Sequence, residues 1–378
     1  MVVLLNLMRV PYLAGVRRGR LWKSIFQIRY LLCVLFIFWI VCSIAEVLFG
    51  RQNFQQINSK TTNKNNNYLL LWYAPPSWAP DMKLLNGLKD CVFKNCNISL
   101  DKNLIERSDV LLFHHSEMLN ETPIRNENQI WIFMTLESPV HIYGPHTEQQ
   151  WDNAFNWTWS YRQDSEIFTP YAKLSKRILP KEKNYRKIFQ QKSKDVAWLV
   201  SNCYTHSERS GYVRKMQKYI NVDIFGDCGE PCEVLGDDCV KDISNTYKFY
   251  LSFENSICED YITEKAFKLY KGDYDIVPVI RGAPNIKDIL PKGTFISASD
   301  FKSPKTLALY LWNIGQNETK YSNYIKAKDR YITTSYNDWI EDGTCLLCET
   351  LNRQHEIYGT VNLSQWILTK KCFSPTDF

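Results

Sequence analysis

Residues 247–265, YKFYLSFENSICEDYITEK, constrain this chain more than any other stretch. The run 247–253 is aromatic and apolar enough for a buried strand, and the polar Glu254, Asn255 and Ser256 end it. After a short loop, Thr263 stands before Glu264, Lys265 and the apolar Ala266, Phe267, Leu269 and Tyr270, the pattern of a helix capped by a threonine hydroxyl. Strand, polar loop and helix start make the unit from which an α/β sheet is built. Its junction lies at the carboxyl end of the strand, where free backbone N–H groups and the helix dipole can hold an anion. A lysine in the first turn opposes that dipole. A bound diphosphate would reverse the penalty, because Lys265 and the helix end would then face the same negative charge.

The rest of the body repeats the unit. Residues 68–73 (YLLLWY), 109–113 (DVLLF) and 129–134 (QIWIFM) are short apolar runs fit for strands, the first stopped by Pro75 and Pro76. Segments of helical length lie between them, so the first half reads as a parallel α/β domain. In the second half, 196–200 (VAWLV) predicts a strand, 207–220 a helix, 222–225 a strand closed by Gly226, and 277–279 (VPV) a further strand. Pro170, Pro180 and the charged run 181–194 read as the connection between two domains. Glu137 and His141 follow the third strand, at the end where such a domain places chemistry. Taken alone, each is an ordinary loop residue.

The N-terminus carries a different signal. Arg9, Arg17, Arg18, Arg20, Lys23 and Arg29 precede an apolar run from 30, and no acidic residue appears until Glu46. Extended through Val47, Leu48 and Phe49, the run reaches the ~20 residues a bilayer needs, with positive charge on the cytosolic side. A cleaved signal peptide is the competing reading, with Ser43 and Ala45 as small residues near its end. The basic segment before the run is as long as a whole signal peptide, which favours an uncleaved anchor. The expected organisation is a cytosolic tail over 1–29, a transmembrane anchor over 30–49 and a polar, Asn-rich stem over 50–67. Domains over 68–190 and 191–345 follow, then a segment over 346–378 that packs back on the body.

Ten of the twelve cysteines lie outside the anchor, and five Asn-x-Ser/Thr sequons begin at Asn97, Asn120, Asn156, Asn317 and Asn362. Both point to the lumen of the secretory pathway, where disulfides are the default for cysteine. Two local disulfides are expected among Cys203, Cys228, Cys232 and Cys239. Cys345 and Cys348 form a CxxC, but a zinc site would need another close pair, and the nearest candidates, Cys91 with Cys96 and Cys228 with Cys232, have looser spacing. The net charge of +6 is modest for 378 residues, and part of it sits in the first thirty, so nucleic acid is not an expected partner.

The stretch 247–265, with Val277, Pro278, Val279 and Gly282 after it, closely resembles the signature of the α-1,3-fucosyltransferases: YKF-x-L-x-FENS, DY-[VI]-TEK, then VPV. The link KGDYD between TEK and VPV is longer than the family's usual turn. The resemblance runs through nearly the whole body, strongest from 194 to 301. It implies a GT-B arrangement, two Rossmann-like domains facing a cleft, with the donor GDP-fucose in the second and the acceptor and base in the first. Glu137 of the ESP-x-H segment would be the general base. Arg209, after Ser201 and Asn202, and Lys265 would hold the diphosphate, Glu264 the ribose, Asn255 and Tyr261 would line the donor, and Arg162 of YR-x-DS would assist. Inverting transfer needs one carboxylate to deprotonate the acceptor hydroxyl, whereas glycoside hydrolysis uses two. In the resemblance the cationic side chains neutralise the diphosphate, so no metal site and no cofactor is required, a divalent cation serving at most to stimulate. The resemblance also implies that Cys345 and Cys348 pair with each other or with Cys91 and Cys96. Its Golgi setting implies a type II membrane protein acting on N-glycans. The GDCG-x-x-C cluster and Ala283, Pro284 and Asn285 resemble the enzymes that modify the N-glycan core more than the Lewis-type enzymes. A luminal glycan-binding protein that kept the fold without turnover is the reading from another class.

Overall fold

The computed structural model describes residues 67–378 apart from 146–147, 233–236, 272–273, 334–338, 354–358 and 370. The tail, the anchor and all but the end of the stem therefore lie outside the described residues. Among the described residues no helix is long and apolar enough to cross a membrane.

Six parallel strands form a first lobe: β1 (Tyr68–Ala74), β2 (Cys96–Ser99), β3 (Val110–His114), β4 (Ile130–Thr135), β5 (Trp157–Ser160) and β6 (Ile167–Phe168). They lie in the order β2-β1-β3-β4-β5-β6. Every residue of β3, β4 and β5 is buried, as a parallel sheet covered on both faces demands. The three expected strands stand within a residue or two of their predicted bounds. The expected helices between them do not form. In their place are a five-residue helix Asp81–Leu85 and the 3₁₀ turns Lys102–Arg107 and His115–Glu117.

Distant residues cover the sheet instead. On one face the helix Trp339–Arg353 buries Trp339, Ile340, Leu347 and Leu351 among Leu70, Trp72 and Trp159. Each such side chain contributes about 1.5–3 kcal/mol of transfer free energy. Gly343 sits at the closest approach, where a Cβ would lie 2.1 Å from the Trp159 ring. On the other face Leu363 and Ile367 pack with Phe113, Phe133 and Phe155. The chain thus returns to the first lobe through a continuous helix, and the boundary expected at 345 falls inside it. The apolar stripe of that helix and its two cysteines both face the first sheet.

Beyond β7 (Leu174–Lys176), the run 181–194 is not a bare linker but contains the helix Tyr185–Gln191. The second lobe holds β8 (Lys194–Leu199), β9 (Val222–Phe225), β10 (Tyr247–Phe253), β12 (Val277–Arg281) and β13 (Ile296–Ser297), all parallel, in the order β13-β12-β10-β8-β9. The short β11 (Ile257–Cys258) pairs with β15 (Cys372–Phe373), and β14 (Tyr331–Thr333) with β7, both antiparallel. The helix predicted over 207–220 is confined to Arg209–Met216. Numbered along the chain, the first sheet has the doubly wound order 2-1-3-4-5-6 and the second 2-1-3-4-5. Their switch points lie between β1 and β3 and between β8 and β10, which are the crevices where such sheets bind ligands.

Five disulfides close: Cys91–Cys345, Cys96–Cys348, Cys203–Cys228, Cys232–Cys239 and Cys258–Cys372. The CxxC cysteines thus pair across the fold rather than with each other, and the last bond was not anticipated. Asn97, Asn120, Asn317 and Asn362 are exposed. Asn156 is not: it is 8% exposed, its amide oxygen accepts from the Trp131 N–H at 3.0 Å, and its Nδ2 donates to the Gly359 carbonyl at 3.0 Å. In the folded chain Asn156 is a buried strut rather than a glycan acceptor.

Candidate functional site

The carboxyl end of β10 carries a charge that the sequence pattern leaves unexplained. Glu254 is fully buried, and its carboxylate accepts from the Thr263 N–H at 2.9 Å and the Thr263 hydroxyl at 2.8 Å, with the Lys265 ammonium at 3.3 Å. A buried carboxylate is tolerable only with such partners. Burial nevertheless holds it above its ordinary value, against the pull of Lys265. Lys265 also donates to the Thr263 hydroxyl at 2.9 Å and to Glu264 at 2.9 Å. Burial pulls Lys265 down, but Glu254 and Glu264 outweigh it and keep the ammonium protonated. Glu264 is pushed up by burial and pulled below its usual range by Lys265. Thr263 caps the helix as expected, yet that helix, Glu264–Phe267, is four residues long. Its dipole is correspondingly small, so side-chain charge rather than the helix end dominates here.

Arg209 opens its own helix from the other side of the switch point. The guanidinium is 3% exposed, donates through Nη1 to the Phe253 carbonyl at 2.6 Å and through Nη2 to the Asn202 carbonyl at 3.0 Å, and leaves Nε without a hydrogen-bond partner. These bonds tie the end of β10 to the loop after β8. Arg209 and Lys265 act on each other, and both on Glu254, so the two cations share one electrostatic neighbourhood. Ser207, fully buried, donates from its N–H to the Asn255 carbonyl at 2.9 Å and from its hydroxyl to the Glu254 carbonyl at 2.7 Å. The Asn255 side chain is half-buried, and its Oδ1 accepts from the Ser256 hydroxyl at 3.3 Å.

Glu137 lies two residues beyond β4, half-buried, and its N–H donates to the Thr135 hydroxyl at 3.1 Å. Tyr261, expected along the donor, instead donates its hydroxyl to Glu137 Oε2 at 3.2 Å while its ring packs on Tyr161 and Tyr171. Burial, then Tyr171 and Glu137, push the Tyr261 phenol well above its ordinary value, so it remains a donor. A second bond joins the lobes, from the Ser256 hydroxyl to the Ser138 hydroxyl at 2.6 Å.

Arg162 does not join this group. Nε and Nη2 grip Asp164 at 2.9 and 2.6 Å, Nη1 donates to the Trp366 carbonyl at 2.6 Å, and the guanidinium lies 3.9 Å over the Trp366 ring. It anchors the returning segment to the first lobe through three of its five N–H groups.

Sequence reasoning passed over Glu254 and Asp260. Asp260 has φ 61°, rare for a side-chain-bearing residue. It accepts from Gln163 at 3.1 and 2.7 Å and from the Asn285 side chain at 2.8 Å, and so fastens Tyr261 in place. The signal for Glu254 was a charged residue continuing an unbroken buried run. At the other switch point, His114 ends β3 and His115 follows it, with the half-exposed Trp78 ring 5.9 Å from His114. Burial, and then His115, lower His114 to about 3, so it is a neutral ring. Among the described residues no cluster of three His, Cys, Asp or Glu is placed to hold a metal ion. A phenol and a pair of serines thus join the halves, and the phenol that holds Glu137 also lies in the electrostatic reach of Arg209.

The chain matches the model of the fucosyltransferase N-terminal domain over residues 64–172 and that of the glycosyltransferase family 10 (fucosyltransferase) C-terminal domain over residues 189–366. It is 32% identical over 329 residues to glycoprotein 3-alpha-L-fucosyltransferase A of Drosophila melanogaster, a match covering 83% of this chain and 61% of that protein. It is 32% identical over 331 residues to 4-galactosyl-N-acetylglucosaminide 3-alpha-L-fucosyltransferase 9 of Mus musculus, covering 85% and 87%. The fold is shared with crystal structures of α1,3-fucosyltransferase with GDP and with GDP-fucose, each at TM-score 0.51 and 14% identity, covering 80% of this chain and 95% and 96% of those chains. Two matching domain models and a relative covered almost end to end establish that this chain belongs to glycosyltransferase family 10, the fucosyltransferases.

Proposed function

We propose that this chain transfers L-fucose from GDP-fucose, with inversion and in α-1,3 linkage, to N-acetylglucosamine of glycoprotein N-glycans, the core residue being the acceptor. The observation that carries the reading is the bond from Tyr261 of the second lobe to Glu137 of the first, with the Tyr261 phenol in the electrostatic reach of Arg209. In this GT-B reading Glu137 takes the proton of the acceptor hydroxyl as its oxygen attacks the anomeric carbon. The bond from that carbon to the diphosphate breaks on the opposite face, and GDP leaves with the electron pair. Arg209 and Lys265 balance the charge that develops on it. In this reading Glu264 meets the ribose and Asn255 lines the donor, and the exposed Trp78 offers a face to an acceptor sugar.

Side-chain cations supply the neutralising charge, so transfer is expected to persist in EDTA, with a divalent cation at most stimulatory. A signal anchor over 30–49 would place the body in the Golgi lumen, a setting supported by five disulfides and four exposed sequons. The equal identity to the Drosophila and mouse relatives favours one second reading, an antennal N-acetylglucosamine acceptor. Incubating the purified protein with GDP-fucose and a panel of defined glycans, and then locating the new linkage, tests both. Absence of transfer to every N-acetylglucosamine acceptor overturns the proposal.

A further inference from the structure

Arg281 ends β12 and is 4% exposed, yet no part of the proposed chemistry uses it. Its Nε and Nη2 donate in parallel to the two carboxylate oxygens of Asp377, each at 2.7 Å, and its Nη1 donates to the Ser207 carbonyl at 2.7 Å. The guanidinium lies 4.6 Å from the Tyr212 ring centroid, and the Phe378 ring stands edge-on to Tyr212 at 5.8 Å. The Lys215 ammonium is 4.7 Å from the centre of the Phe378 ring. These last residues arrive from the opposite lobe: Leu363 and Ile367 belong to the core of the first sheet. The Cys258–Cys372 bond and the Glu259–Lys371 ion pair at 2.7 Å then fix the crossing.

We propose that Arg281, Asp377 and Phe378 form a positioning clamp for the loop that carries Arg209, which makes residues 371–378 a working part of the donor site. The reasoning follows Ser207. Its N–H, hydroxyl and carbonyl are all engaged, the first two by the strand end at Glu254 and Asn255 and the third by Arg281. Arg209 follows two residues later, so the direction of its guanidinium is set by how firmly Ser207 is held. Arg281 can hold the carbonyl in this nearly dry place only while Asp377 neutralises it, since an unpaired guanidinium would turn outward to regain water. The bidentate geometry fixes angle as well as distance. Phe378 closes the outer side of the guanidinium against Tyr212, which keeps the ion pair out of solvent. The clamp touches no substrate and acts only through the placement of Arg209.

This inference rests on the donor reading of Arg209, and kinetics on the full chain separate the two. For Asp377→Ala the KM for GDP-fucose and the Kd for GDP should rise about tenfold, the scale of a small misplacement at a binding group, with kcat and acceptor KM within twofold of the parent. Asp377→Glu, which can re-form the pair, should recover most of the loss. Asp377→Ala placed on Arg281→Met should add nothing further, because the partner is already gone. A donor KM that stays within twofold in Asp377→Ala, in an enzyme whose Arg209→Ala shows the rise, overturns the clamp. Parallel losses in kcat, both KM values and thermal midpoint also overturn it, since they describe mere unfolding. An unchanged donor KM in Arg209→Ala removes the donor reading itself and the clamp with it.

Discussion

Replacing Lys265 by methionine strips the buried Glu254 carboxylate of its ion-pair partner, 3.3 Å away, with the Lys265 side chain 25% exposed and that of Glu254 fully buried. At an effective dielectric of ~20 this separation corresponds to about 5 kcal/mol of direct attraction. The carboxyl can escape that loss by taking up a proton, which sets a ceiling. With an unfolded value near ~4.3, keeping it protonated costs about 3.7 kcal/mol at pH 7 but only about 1 kcal/mol at pH 5. Burial already raises Glu254 in the parent, and a raised group contributes stability that is full below its unfolded value and lost as pH rises through its folded value. Lys265→Met lifts the folded value further. The variant should therefore lose roughly 1 kcal/mol at pH 5 and about 3 kcal/mol at pH 7, read from urea midpoints. Adding Glu254→Gln, whose amide oxygen still accepts from Thr263, should restore most of the stability and flatten the pH dependence. It should not restore GDP binding, which is weaker by about 2 kcal/mol, roughly thirtyfold in a calorimetric titration, in both variants. A loss of equal size at both pH values, or a double variant no more stable than the single at pH 7, would refute this account of Glu254.

Glu137→Gln should keep GDP affinity within about twofold while transfer falls by roughly 10²- to 10⁴-fold; unaltered transfer removes the base assignment. Gly343→Ala drives a Cβ to 2.1 Å from the Trp159 ring and should lower the urea midpoint by the equivalent of about 1–3 kcal/mol, even though alanine favours a helix. In protein expressed through the secretory pathway, Asn317→Gln should remove one glycan-dependent gel shift. Asn156→Gln should remove none but lower the thermal midpoint, and a lost glycan there contradicts the buried placement.

What could be read from the chain and what could not divide along sequence distance. The strand Tyr247–Phe253 and its Thr263-capped helix were legible because run length, strand-ending charge and cap all lie within twenty residues. The core strands of both sheets were legible for the same reason, since a strand buried on both faces announces itself by composition. The helices imagined between the first strands were not formed, because the cover for that sheet comes from Trp339–Arg353 and residues 363–367. The bond from Arg162 to the Trp366 carbonyl was illegible for the same reason, since that partner stands 204 positions away. Asn156 matched a three-residue rule whose meaning depends on burial. Tyr261, expected along the donor, bonds Glu137, a relation between lobes that no local pattern encodes.

The bonds from Cys91 to Cys345 and from Cys96 to Cys348 span 254 and 252 positions. At the ~5 to 20 residues per second of ribosomal synthesis, the earlier cysteines wait tens of seconds for their partners. During that interval the first six strands are made but uncovered, while the second sheet already has its own helices. The part of the molecule born first is therefore finished last. A nascent chain held before residue 339 would display a bare apolar sheet to chaperones, with two thiols free to form the wrong bond.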